Sequence, residues 1–99
     1  MEEIIELGGN INLIGFKDIE PGKLVVVKKI VGNIVKKIQD QNKDFQKITV
    51  TLEPVHKSKY EIKSHLIIGN KDYMSELTDL NLFFALNKSL DKVLGQLHA

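Results

Sequence analysis

The segment Pro21 to Asp40, PGKLVVVKKIVGNIVKKIQD, constrains the fold more than any other part of the chain. Its apolar residues Val27, Ile30, Val31, Ile34, Val35 and Ile38 recur at helical spacing. At about 100° per residue they share one arc of roughly 140°. Lys28, Lys29, Lys36 and Lys37 fall on the opposite arc, with Gly32 and Asn33 between them. The valines and isoleucines also suit a strand, but the period does not. The expectation is a helix with one buried face and one basic, thinly covered face. Pro21 suits its first turn, where a missing N–H costs nothing.

Two readings of the lysines stand side by side. In one they form a solvated face, with Lys36 and Lys37 complementing the negative end of the helix dipole and Asp18 and Glu20 the positive end. In the other they form a docking face for an anion. The second gains from the absence of any acid between Lys23 and Lys37, because solvated helices ordinarily mix both signs.

The charge is local. Residues 1–20 hold five acids and one lysine, residues 21–47 seven lysines and two acids, and residues 48–99 six of each. A net +1 therefore hides a basic patch on the first helix, which matters more to an anionic partner than the total. All fourteen basic residues are lysine. Lysine provides point charges rather than the fork that reads guanine edges, so any nucleic-acid contact is expected at the backbone.

Ninety-nine residues form one domain, 1–99, and at 42% apolar and 27% charged they support a globular core. Without cysteine there is no disulfide, thiolate chemistry or cysteine zinc site. The acidic start Met1-Glu2-Glu3 is unlike a signal peptide, and the longest apolar run, Leu82–Leu86, is too short to span a membrane. A cytoplasmic protein is expected.

Ahead of the helix, Ile4–Leu7 and Ile11–Phe16 are short β-type runs around Gly8-Gly9-Asn10. That triplet is either a hairpin turn or a bulge in one longer strand, so residues 1–9 are an extension that adds a strand only in the first case. After the polar break Gln41–Asp44, Ile48, Val50 and Leu52 alternate with polar residues up to Pro54. Val55–Ser58 is a turn. Tyr60, Ile62, Leu66 and Ile68 mark a second alternating strand, Gly69–Asp72 a hairpin turn, and Tyr73–Leu77 a third strand. Thr78 or Asp79 would cap a final helix, Leu80–Leu97, with Leu82, Phe83, Leu86, Leu90, Val93, Leu94 and Leu97 as its apolar stripe. The fold class is α+β, in the order β-α-β-β-β-α. The expected sheet is four-stranded and mainly antiparallel, with both helices side by side on one face.

Phe84 falls outside that stripe, with Asn81, Lys88 and Asp91. It fills a groove between the helices, makes a dimer contact or stacks on a base; the groove is the expectation adopted, because an aromatic there buries a large area. Gly32 is either a tolerated helix defect or a gap that lets RNA backbone approach.

Catalytic chemistry has little to stand on. His56, His65 and His98 are scattered, without metal spacing and without a neighbouring nucleophile. Glu53 and Glu61 are placed to face one another across a hairpin, with Lys59 and Lys63 close enough to pair with them. No enzyme activity, cofactor or metal is expected.

The segment order with a basic first helix resembles the short ribosome hibernation promoting factors, also called ribosome-associated inhibitor or protein Y. TDLNLFFALNKSLDKVLGQL is similar to the family's acidic-Met-Tyr-Ala-Ala-Ile-Asp opening, followed by a Leu/Asp-Lys-Leu helix ending in Gln-Leu. Asn81 stands for the acid, Leu82 for Met, Phe83 for Tyr, Phe84 for an Ala and Asn87 for the second acid, while Ala85 is kept. INLIGF and the Val/Lys helix resemble the family's first strand and helix, and the likeness spans roughly residues 10–97.

The resemblance implies a translation inhibitor that binds the small ribosomal subunit when translation is idle, as in stress. It would block the decoding channel and contact ribosomal RNA through both helices. By position the RNA-binding residues would be Lys28, Lys29, Lys36 and Lys37, with Lys88 and Lys92 from the second helix; Gly32 and Asn33, which lie between the lysines of the first helix, complete the expected RNA-binding set. The dimer-forming long type, which has a second domain, is not indicated, and a monomer or weak homodimer is expected. Two other readings remain: a protein-interaction module dimerising through Phe84 or the N-terminal strand, and a double-stranded RNA binder.

Overall fold

In a computed structural model, residues 4–55 and 58–97 are described. In chain order they form β1 (Ile4–Leu7), β2 (Ile11–Ile14), α1 (Pro21–Gln41), β3 (Phe45–Val55), β4 (Lys59–Ile68), β5 (Lys71–Asp79) and α2 (Leu82–Leu97). The class is α+β, as expected. The sheet has five strands rather than four, in the order β1-β2-β3-β4-β5. Three pairings are antiparallel and β2–β3 is parallel, so the sheet is mixed. A parallel neighbour requires a long crossover, and α1 is that crossover.

The fifth strand exists because Gly8-Gly9-Asn10 is a hairpin turn. Leu7 pairs with Ile11, and both glycines sit in the left-handed region that their lack of Cβ permits. β2 stops at Ile14, two residues earlier than the apolar run. Gly15, with φ of 83°, turns the chain beside Leu52 and drives Phe16 fully into the core.

The register puts Ile11 and Leu13, then Ile48, Val50 and Leu52, then Ile62, Ser64 and Leu66 on one face of the sheet. These meet Val27, Val31, Val35 and Ile38 of α1 and Leu82, Ala85, Leu86, Leu90 and Val93 of α2 in a single core. Both helices cover that face, and the opposite face stays open. Burial decides why α1 is a helix. Each β-branched residue costs at most about 0.7 kcal/mol of helix propensity, and Gly32 about 1 kcal/mol. Fully burying one valine or isoleucine returns about 1.5–3 kcal/mol.

α2 starts later than expected. β5 runs through Asp79, and the cap is Asn81 rather than Thr78 or Asp79. The Phe84 N–H donates to Asn81 Oδ1 over 2.9 Å, and the Asn81 N–H donates to Asp79 Oδ1 over 2.8 Å. Leu80 is left outside the helix and exposed.

Serines fasten α2 to the sheet. Ser89 is buried, with its Oγ 2.8 Å from Ser64 Oγ and 2.9 Å from Ser75 Oγ; Ser75 also donates to the Ser89 carbonyl at 2.7 Å. No buried side-chain nitrogen or oxygen among the described residues lacks a partner. At the far end of the sheet, the β4–β5 turn at Gly69-Asn70 is tied to the start of β3. The Gly69 N–H donates to Asp44 O, and Gln46 Nε2 donates to Gly69 O, each at 2.8 Å. No helix among the described residues is long and apolar enough to cross a membrane.

Candidate nucleic-acid interface

α1 is 21 residues long, and the buried Val27, Val31, Val35 and Ile38 fix its rotation about its axis. That rotation leaves Lys29, Asn33, Lys36 and Lys37 exposed, as expected. Lys28 and Gly32 are only half-exposed and lie on the helix flank beside the apolar arc. Val25 and Val26 are exposed, so the outward face begins with an apolar pair that charge counting overlooks.

The helix dipole does not account for these lysines. Such interactions fade beyond the terminal turn. No basic residue occupies the last turn of α1 and no acid the first, and Glu20 makes no side-chain cap. Nor are the lysines neutralised within the fold. Among the described residues none of Lys23, Lys28, Lys29, Lys36 and Lys37 forms a salt bridge. The only acid on α1 is Asp40, in its last turn. The face is therefore a run of uncompensated cations on a rigid support, suited to phosphate oxygens at point-charge range.

The second-helix residues are placed differently. Lys88 is exposed, with Nζ 5.4 Å from the centroid of the Phe84 ring. Lys92 is exposed on α2 and lines an open hollow of about 760 Å³ with Thr49, Thr51, His65 and Met74. No residue of α1 contributes to that hollow. The expected eight-residue site thus divides into an α1 face and a separate α2 pair. The expected groove role of Phe84 is not what the structure shows. Phe84 is 49% exposed, while the neighbouring Phe83 packs against the core.

Gly32 has open space where a Cβ would sit, with nothing within 4 Å. Gly32→Ala should accordingly stabilise the fold by about 0.5–1 kcal/mol through helix propensity. If RNA approaches at this gap, the same variant binds more weakly although it melts higher. Paired melting and binding measurements check this, and equal or tighter binding removes Gly32 from the interface.

On the open face of the sheet, Glu53 and Glu61 do face each other, and Lys63 Nζ lies 3.9 and 3.8 Å from their carboxylates. His65 Nε2 is 2.7 Å from Asp72 Oδ1, the two being held on adjacent strands. His56 and His98 lie outside the described residues. Among the described residues no three His, Asp or Glu side chains gather into a metal-binding group. No protein-family profile and no curated protein sequence matches the chain.

Proposed function

We propose that the chain binds ribosomal RNA of the small subunit through the exposed face of α1 and acts as a cytoplasmic translation inhibitor of the hibernation type. One observation carries the RNA-binding part: Lys29, Lys36 and Lys37 project from one rigid face without an acid or a salt bridge among them. The ribosomal part rests on the resemblance of INLIGF, the Val/Lys helix and TDLNLFFALNKSLDKVLGQL to the hibernation factors. The segment order β2-α1-β3-β4-β5-α2 is the order which that resemblance implies, with β1 added at the edge.

A competing reading is a dimerisation module, favoured by the place of β1 at the edge of the described sheet and by Ile4, which is exposed there. Sedimentation through sucrose gradients separates the two. The protein should travel with small subunits at low salt and leave them as salt rises, since each phosphate contact releases counterions. About four lysine contacts correspond to a slope of log affinity against log salt of roughly −3. A protein that stays at the top of the gradient at every salt concentration would overturn the ribosomal reading.

A further inference from the structure

The chain has four phenylalanines and two tyrosines. Phe16 is fully buried, and Phe45, Phe83, Tyr60 and Tyr73 pack against the core. Phe84 alone turns its ring outward. It does so from a fixed backbone, because its N–H is held by the Asn81 cap. Lys88, one helical turn on, sets its ammonium over the ring. Leu80, 65% exposed, precedes the cap. Beside it lies a hollow of about 250 Å³ lined by Lys23, Tyr60, Leu80, Asn81, Leu82 and Phe83. The start of α2 thus carries a patch with an open aromatic ring, the Lys88 ammonium beside it and the exposed Leu80, while Lys23 of α1 lines the hollow on the Phe83 side.

We infer that this patch captures one unpaired RNA base, stacked on Phe84, with a flanking phosphate on Lys88. The inference deepens the RNA-binding reading and rests on it. Stacking on an aromatic ring tolerates any base sequence, which agrees with a chain that lacks arginine. A duplex cannot occupy the patch in the same way, because its base faces are covered by their neighbours; splayed single-stranded bases are free to stack. A protein partner is disfavoured by Lys88. Covering Phe84 with apolar surface would strip water from that ammonium without returning a counter-charge. A phosphate returns it. The only acid on α2 is Asp91, three residues beyond Lys88, and among the described residues it forms no salt bridge with it.

The test measures fluorescence anisotropy of a labelled short oligoadenylate and of a labelled RNA duplex of equal length, with wild type, Phe84→Ala and Phe84→Trp. Phe84→Ala should weaken single-strand binding about ten- to hundredfold, the range for losing one stacked base, and leave duplex binding within about twofold. Phe84→Trp should bind the single strand at least as well as wild type. The melting temperature of each variant is followed alongside. Equal loss on both RNAs, or no loss on either, overturns the inference. So does a Phe84→Ala protein that melts many degrees lower, which assigns the ring to packing, or one that turns a wild-type dimer into a monomer. Failure here is separable from failure of the proposed function. Wild type that sediments with small subunits while Phe84→Ala binds single strands normally defeats only the stacking site. Wild type that selects single strands through Phe84 without binding subunits defeats only the ribosomal reading.

Discussion

Gly15→Ala should lower the melting temperature by roughly 8–40 °C. Two costs coincide at this position. The backbone φ of 83° lies in the left-handed region, where a side chain costs roughly 1–2 kcal/mol. A Cβ built there also runs into the Leu52 carbonyl oxygen. That oxygen belongs to β3, whose pairing with both β2 and β4 leaves it little room to withdraw. Forcing extra volume into such a site costs about 1–3 kcal/mol. The sum, roughly 2–5 kcal/mol, is a large part of the 5–15 kcal/mol that holds an ordinary domain together. At this chain length about 1 kcal/mol moves the midpoint by 4–8 °C. Gly9→Ala is the control. Gly9 has a similar φ of 80°, but a Cβ there meets nothing within 4 Å, so only the conformational cost applies. Thermal unfolding by circular dichroism should therefore rank wild type above Gly9→Ala, with Gly15→Ala far below both. Two alanine variants melting within a few degrees of each other would show that the contact with Leu52 relaxes without cost.

Gly15 also marks where sequence reading reaches its limit. Regular patterns were legible. The helical period of Val27 to Ile38 placed α1 to within a residue, and the alternations around Ile48–Leu52 and Tyr60–Ile68 located β3 and β4. Single residues acting across the sheet were not. INLIGF reads as one continuous run, and only the proximity of Leu52, remote in sequence, shows that its glycine is a bend. Parallel pairing of β2 with β3 has no local signature. The start of α2 was misplaced because Thr78 and Asp79 are as good caps by residue type as Asn81, and β5 had already claimed them. Ser64, Ser75 and Ser89 interrupt three separate patterns as polar residues, and their hydrogen bonding to one another becomes visible only in three dimensions. In the candidate interface, the exposed lysines followed directly from the helical period. How far Lys28 is covered depends on what packs beside that flank of α1, and the exposure of Phe84 on what packs beside α2. Both are tertiary facts.

That distinction selects the variant that should abolish binding to the small subunit: Lys29→Glu with Lys36→Glu. The two side chains are exposed on the outward face of α1 and form no salt bridge among the described residues. Neither lies in a terminal turn, so reversing them removes no dipole interaction. Stability should stay within about 0.5 kcal/mol of wild type. Lys28→Glu is the poorer choice, since that half-buried residue would mix packing loss with charge loss. Each abolished phosphate contact should reduce the salt slope by about one unit, and the new carboxylates repel the backbone besides. The control is Lys59→Glu with Lys71→Glu. It changes net charge equally, but on exposed residues at the start of β4 and at the β4–β5 turn, both outside α1. Under a purely global attraction between a cationic protein and an anionic particle, both pairs would weaken sedimentation with subunits alike. If α1 is the docking face, the first pair releases the protein and the second leaves it bound. A folded Lys29→Glu, Lys36→Glu protein that still travels with small subunits would remove α1 from the interface altogether.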